Sequence, residues 1–124
     1  MDWTNDELNR IGDADELHVA PVEESGSPRR PVPIWVVRDG DDLYVRSFRG
    51  GDGRWFRAAS ASHEGHIQAG GVDKDVTFAE ERDAGVNARV DDAYRSKYAR
   101  YGEAYLDPMV DGPARGTTLK IVPR

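Results

Sequence analysis

The chain contains no cysteine, which excludes disulfides, thiolate nucleophiles and cysteine-ligated metals. It also has no apolar run near the roughly 20 residues that a membrane-spanning helix needs. The first seven residues, Met1 to Glu7, are acidic where a signal peptide would be basic and then apolar. These absences predict a protein of the reducing cytoplasm with no membrane partner. The 124 residues suit a single domain, 1–124, with one core.

The chain also has no excess of positive charge: its net charge is −6. This argues against nucleic acid as the main partner, because phosphate backbones bind to basic faces. The charge is nevertheless uneven: residues 29–57 carry seven arginines against four aspartates. A local arginine excess on an acidic protein indicates a small anionic ligand. The alternative is that these arginines pair with the acidic segment 1–28.

The amino terminus predicts a helix over about 4–12. Thr4 and Glu7 have the spacing of a capping box, and Gly12 is a plausible end. A loose alternation from Glu16 to Val22 indicates a first strand. The composition of Ser25–Pro28 is typical of a turn.

Two strands and a hairpin are expected next. Val32–Val37 is a nearly continuous apolar run, which predicts a central strand buried on both faces. Pro31 and Pro33 lie at its start, where a missing N–H is tolerated. Asp39–Asp41 is typical of a hairpin turn. Asp42–Phe48 then alternates as a strand.

The second half mixes helices with strands. We expect a helix over Arg54–His63 with Asp52 as its cap, and then two strands, one at Ile67 and one over Val72–Phe78, around a turn at Gly70–Gly71. Aromatic and aliphatic residues at three- and four-residue intervals predict a long helix over about 85–102. Thr117–Val122 is the closing strand. Short antiparallel strands interrupted by helices indicate an α+β fold, and closing the sheet would remove its exposed edges.

Several segments together resemble a bacterial, largely actinobacterial family of unknown function. They are Arg30–Trp35, Leu43–Ser47, Trp55–Arg57, Ala69–Val76, Asp107–Met109 and Thr117–Leu119. That family is similar, more distantly, to deazaflavin-dependent nitroreductases and to pyridoxamine-phosphate-oxidase-like proteins. The resemblance implies a flavin-reductase-like split β-barrel of about six mainly antiparallel strands with flanking helices. It also implies FMN or a deazaflavin as cofactor, and a homodimer.

A strand, a glycine-rich turn and a helix start form the first candidate site. Glycines let N–H groups approach an anion, and a helix start adds partial positive charge. The candidate phosphate ligands are Arg46, Ser47, Arg49, Gly50 and Gly51. Asp52 counts against this interpretation, because its carboxylate would occupy the same N–H groups. The alternative is a self-capped turn that only connects two elements.

Aromatic residues form the second candidate set. Trp35, Trp55 and Tyr98 are expected to flank a flat ring, and Tyr44, Tyr101 and Tyr105 are further members of the set. The alternative is that aromatics at such spacing are core residues. The remaining candidates are histidines: His63 and His66 lie three apart, but no third ligand stands near them, so we predict no metal site.

Two functional hypotheses remain. The first is a split-barrel protein that binds FMN or a deazaflavin and acts as an oxidoreductase on a small organic molecule. In the second, the protein binds or isomerises a small molecule in the same cleft without a cofactor, and a tyrosine, histidine or aspartate does the acid–base work. No residue is identified as catalytic.

Overall fold

The computed structural model describes residues 2–23 and 30–124. The turn expected at Ser25–Pro28 and the side chain of Arg29 lie outside these residues. The helices are α1 (Asn5–Asp13), α2 (Arg54–Ser62), α3 (Ala84–Lys97) and α4 (Glu103–Val110). The strands are β1 (Leu17–Pro21), β2 (Val32–Ile34), β3 (Val37–Asp39), β4 (Asp42–Val45), β5 (Glu64–Ala69), β6 (Val72–Glu80) and β7 (Leu119–Pro123). Within the described ranges, no helix is long and apolar enough to cross a membrane.

The strands form one sheet in the order β2-β1-β5-β6-β7-β4-β3. Every neighbouring pair is antiparallel. The expected hairpin turn is confirmed: Gly40, with a φ of 62°, lies in the turn that joins β3 to β4. The sequence-based prediction of an α+β, mainly antiparallel barrel is therefore confirmed, with seven strands where about six were expected.

The extra strand arises because the prediction for Val32–Val37 was wrong. This run is not one central strand. It is divided between β2 and β3, which are the two edges of the sheet. Proline has no N–H for a ladder and is tolerated at an edge, which suits Pro33 opposite His18 on β1.

The two edges are joined by Trp35 and Val36 alone. A span of three Cα–Cα steps cannot exceed about 11 Å. The sheet must therefore curl until its first and last strands nearly meet, and these two residues form the seam of a split barrel. Main-chain groups at such a seam have no neighbouring strand to pair with, and they must find other partners when they are buried.

Tyr98 supplies those partners. Its hydroxyl accepts from the Val36 N–H at 3.1 Å and donates to the carbonyl of Asp15 at 2.8 Å. Lys97 donates to the Val36 carbonyl at 2.7 Å. Burial raises the pKa of Tyr98 above its usual range, so the hydroxyl keeps its proton as a donor. One helix end thus closes the seam.

The sheet is covered on both faces. The barrel interior is filled by one apolar cluster that includes Leu8 and Ile11 of α1 and Trp55 of α2. A second cluster lies outside the β3–β4 edge and includes Tyr94 of α3 and Met109 of α4. Three polar residues, Arg46, Asn87 and Asp91, are buried beside this second cluster. They position the site described below.

Local signals predict α1, α2 and the start of α3, but they do not predict α4. The capping box at α1 is complete, with Thr4 and Glu7 each bonded to the other's N–H. The helix passes Gly12 and ends at Asp13. The long helix expected over 85–102 was too long, because α3 ends at Lys97 and a 3₁₀ turn follows. Gly102, at φ 85°, then redirects the chain into α4.

Removing the seam hydroxyl tests this account. We expect Tyr98→Phe to lower the free energy of unfolding by about 1–3 kcal/mol, because the buried Val36 N–H then has no acceptor. Urea denaturation measures the change. The control is Tyr105→Phe, which removes the same atom from a side chain that is 60% exposed. Equal effects of the two substitutions would contradict the role of Tyr98 at the seam.

Candidate functional site

A cleft of about 750 Å³ opens beside the seam. Three parts of the molecule surround it: the β2 strand with Trp35, the corner between β4 and α2, and helix α4. Its lining residues are Glu16, residues 32–35, residues 46–49 and 52–55, Arg57, Tyr105 and Met109. The volume is in the usual range for a small-molecule or cofactor site, roughly 300–1,000 Å³.

Aromatic side chains line much of this cleft. Trp35 and Trp55, both predicted as ring-binding residues, lie on its walls. Phe48 and Tyr105 also line it, with 55% and 60% of their surfaces exposed. Among the described residues, only Tyr101 joins these two as a large exposed hydrophobic side chain. Exposed aromatic surface is therefore concentrated at this cleft.

Tyr98, the third predicted ring-binding residue, does not line the cleft. It is fully buried, and its ring stacks on Trp35 with centroids 4.0 Å apart and planes 5° from parallel. Tyr98 therefore fixes the orientation of a wall residue from behind. Tyr44, another member of the aromatic set, is also buried in the second apolar cluster.

Arg46 is fully buried, and its guanidinium is bonded within the protein. It donates to Asp91 at 2.6 Å, to Thr118 at 2.9 Å and to the Met109 carbonyl at 2.8 Å. It also donates to the side-chain oxygen of Asn87 at 3.1 Å. The expectation that Arg46 contacts a phosphate is therefore not supported, because its N–H groups are directed at internal acceptors.

This buried network connects the corner to two other elements. Arg115, in the turn before β7, donates to the second oxygen of Asp91 at 2.9 Å. The Ser47 N–H donates to Thr117 at 2.8 Å in the same turn. The cleft wall at Ser47 is thus attached to α3 through Asp91 and to the turn that precedes β7. Ser47, which the sequence predicts to be a phosphate ligand, lines the cleft.

Gly50 and Gly51, the two glycines predicted as phosphate ligands, do not line the cleft. Gly50 has a φ of 67°, and a Cβ there would lie 2.7 Å from the Pro113 side chain. Its N–H donates to the Ser47 carbonyl at 2.9 Å. Gly51 is exposed and is not among the lining residues. Gly50 therefore supplies a tight backbone turn, and the expected phosphate contact of its N–H group is not available.

Three exposed arginines lie on the cleft: Arg49, which the sequence predicted, and Arg54 and Arg57, which it did not. Within residues 2–23 and 30–124, no carboxylate is within 4.0 Å of their guanidinium groups. The sequence did carry a sign of the two missed residues: they are three residues apart at the start of a helix, which puts them on one helix face, and they belong to the arginine-rich segment. Their charges remain available to a ligand.

Three carboxylates of the acidic amino-terminal segment form ion pairs with other cations and not with these arginines. Asp6 pairs with Arg10, and Glu7 pairs with Lys74 at 2.6 Å. Asp15 pairs with Arg100, which lowers the pKa of that carboxyl. These three acids are therefore engaged elsewhere.

Asp52 was predicted to cap α2, and this prediction was wrong. Gly53 is the N-cap, and among the described residues no side chain caps the start of the helix. Asp52 lies in the preceding 3₁₀ turn, exposed on the cleft. The aspartate therefore does not occupy the N–H groups at the start of α2.

The two spaced histidines belong to different elements. His63 ends α2 with a φ of 59°, and His66 is on β5 between Asp73 and Asp75 of β6. The bond to Asp75 and then that to Asp73 raise the pKa of His66. In the part of the chain that the structure describes, no group of three metal-ligating side chains is suited to a metal ion.

A family model matches residues 7–121, so the chain belongs to the family described as uncharacterized protein conserved in bacteria (DUF2255). This confirms the resemblance to a bacterial family of about this length. No curated protein matches the chain in sequence.

Solved structures share the fold at low sequence identity. The HutZ heme storage protein of Vibrio cholerae has a TM-score of 0.67 and 15% identity, covering 100% of this chain and 92% of that one. An FAD-binding protein of Mesorhizobium loti has a TM-score of 0.60 and 18% identity, with the same coverage of 100% and 92%. An F420 reductase has a TM-score of 0.50 and 17% identity, with coverage of 94% and 90%. These similarities confirm the split-barrel fold.

Replacing Arg46 tests its structural role. We expect Arg46→Met to lower the free energy of unfolding by about 3–5 kcal/mol, because a buried charge pair loses one partner. The control, Arg57→Met, removes an exposed guanidinium and should change stability by less than about 0.5 kcal/mol. Chemical denaturation compares them. A small effect at position 46 would show that Arg46 is not needed to hold the corner.

Proposed function

We propose that the chain binds a flavin-type cofactor, FMN or a deazaflavin, in this cleft and acts as an oxidoreductase on a small organic molecule. The observation that carries the proposal is the combination of aromatic walls and unpaired arginines in one cleft of about 750 Å³. A flat ring and a phosphate need these two surfaces side by side.

The walls suit a planar ring. Trp35 is held by its stack on Tyr98, which is fixed in turn by hydrogen bonds at the seam. Trp55 is 7% exposed and anchored in the barrel core, where its ring meets Phe56 edge-on at 6.1 Å. Rigid aromatic walls bind a flat ligand with little loss of side-chain entropy.

The arginine side of the cleft suits a phosphate. Arg49, Arg54 and Arg57 present guanidinium groups that form short, charge-assisted bonds to phosphate oxygens. The start of α2 lies at the same place and has no side-chain cap, so its partial positive charge adds to theirs. Asp52 is the opposing charge, but it does not cover the helix start.

When bound, the cofactor would supply hydride transfer, and the protein would supply position and electrostatics. Trp35 and Trp55 would hold the ring plane, while the arginines would fix the phosphate end. Phe48 and Tyr105 would cover the open side and limit water around the ring.

The FAD-binding protein and the F420 reductase among the similar structures support a flavin-type ligand, because F420 is a deazaflavin. The heme storage protein points to another flat ring. The lining residues of this cleft include no histidine, the usual proximal ligand of heme iron, whereas its arginines match a phosphate. The flavin-type interpretation therefore fits this chain better.

The first test is binding. We expect FMN or F420 to raise the melting temperature by several degrees, since ligand at 100 times its Kd adds about 2.7 kcal/mol. Either cofactor should also quench Trp35 and Trp55, two of the three tryptophans. Absence of both a thermal shift and quenching with FMN, F420 and FAD would overturn the proposal.

Single arginine variants locate the phosphate. Arg54→Gln and Arg57→Gln should each raise the Kd about tenfold, since a charge-assisted bond is worth roughly 1.5–3 kcal/mol. The control is Arg95→Gln, on the outer face of α3 and away from the cleft. Riboflavin, which has the ring without the phosphate, should bind both variants as it binds the native chain.

A homodimer is part of this proposal. Phe48 and Tyr105 would be covered by a second copy that closes the cleft. Sedimentation at micromolar concentration is expected to give twice the chain mass of 13.8 kDa. We expect Phe48→Asp to reduce the sedimenting mass to that of a single chain, because the substitution places a charge in the proposed interface. Phe48→Leu keeps an apolar side chain there and should stay dimeric. A native chain that sediments as a monomer contradicts the dimer.

The alternative function, a cofactor-independent small-molecule binding protein or isomerase, has one observation in its favour. Asp52 and Glu16 place carboxylates on the cleft, which suits acid–base chemistry. Binding of small carbonyl compounds, with no response to FMN or F420, would favour it. In that case Asp52→Asn should abolish turnover without changing the fold.

A further inference from the structure

The three lysines of the chain have different partners. Lys74 pairs with Glu7 at 2.6 Å, and Lys120 pairs with Asp42 at 3.6 Å. Lys97 donates to a neutral acceptor, the Val36 carbonyl, at 2.7 Å. Within the described residues, no carboxylate lies within 4.0 Å of its amine. Lys97 is thus the one lysine here without an ion pair.

Lys97 lies in a second cleft of about 330 Å³ between α1 and α3. This cleft shares no lining residue with the first one. Leu8, Val37 and Ala93 give it apolar surface, and the Tyr98 ring lies 5.0 Å from the lysine amine. The cleft is large enough for a few non-hydrogen atoms beside the amine.

Burial in this cleft lowers the pKa of Lys97 to about 8. The nearby charges act in both directions: Asp15 and Asp13 favour the protonated amine, and Arg100 opposes it. A lysine of ordinary pKa, about 10.4, is almost entirely protonated at neutral pH. A substantial fraction of Lys97 is therefore the neutral, nucleophilic amine.

An uncompensated cation lies in the same cleft. Arg38 donates to the Gly40 carbonyl at 2.7 Å and to the Asn9 side-chain oxygen at 2.8 Å, and both acceptors are neutral. Its positive charge is therefore available to an anionic group that approaches Lys97. Asp13 supplies the one opposing charge among the lining residues.

We propose that Lys97 is an acyl-acceptor site that reacts with small acyl phosphates. The Nζ lone pair attacks the acyl carbon and a C–N bond forms. The bond from that carbon to the phosphate oxygen breaks, phosphate leaves with the electron pair, and one Nζ proton passes to solvent. Arg38 stabilises the leaving phosphate. The product amide keeps one N–H for the Val36 carbonyl, and it is neutral where the protonated lysine carried a positive charge.

The test uses acetyl phosphate on the full chain at pH 7.5, with the acetylation rate at each lysine read by mass spectrometry. We expect Lys97 to react at least about tenfold faster than Lys120 or Lys74, because burial lowers its pKa while the other two amines are paired with carboxylates. Its rate should rise with pH and level off above about 8. In guanidinium chloride the three rates should converge.

Two variants test whether the cleft, and not exposure of the amine alone, makes Lys97 reactive. Arg38→Gln should slow acetylation of Lys97 by acetyl phosphate several-fold, while its reaction with an uncharged N-hydroxysuccinimide ester stays the same. Arg89→Gln, which alters an arginine paired with Asp39 outside this cleft, is the control. Equal rates at Lys97 and Lys120 in the folded chain, or a preference that survives unfolding, would overturn the proposal.

Discussion

The short connection between β2 and β3 determines much of this structure. Two residues, Trp35 and Val36, join the outermost strands of a seven-stranded sheet, so the sheet can exist only if it curls. Curling leaves main-chain groups of Val36 without a strand partner, and the hydroxyl of Tyr98 replaces that partner. The same ring supports Trp35 by stacking. Closure of the barrel and the wall of the cleft therefore depend on one pair of side chains.

The sequence predicted those features whose cause is local. The capping box at Thr4 and the turn at Gly40 require only neighbouring residues, and both formed as expected. The apolar run at 32–37 was misinterpreted because burial on both faces does not show which strands will pair. An edge strand of a closing barrel is covered by elements far along the chain, such as α3, so its composition resembles that of a central strand.

The candidate site shows the same limit for charged residues. Arg46 has the residue type and position of a phosphate ligand, yet its partners Asp91 and Thr118 lie 45 and 72 residues away. Arg46 follows Tyr44 by two residues, and strand alternation puts such residues on one face, here the face that is buried against the helices. Only the tertiary packing shows that this face is covered at position 46 and open near Arg49.

The arginines at the corner between β4 and α2 therefore divide into two kinds with different physical roles. Arg46 is buried and neutralised, and it attaches the corner to α3 and to the turn before β7. Arg54 and Arg57 are exposed and have no carboxylate partner among the described residues, and they lie on a helix that begins at that corner. Charges on a fixed frame bind an anion without first losing side-chain and loop freedom. An acidic protein can in this way hold a local cationic surface.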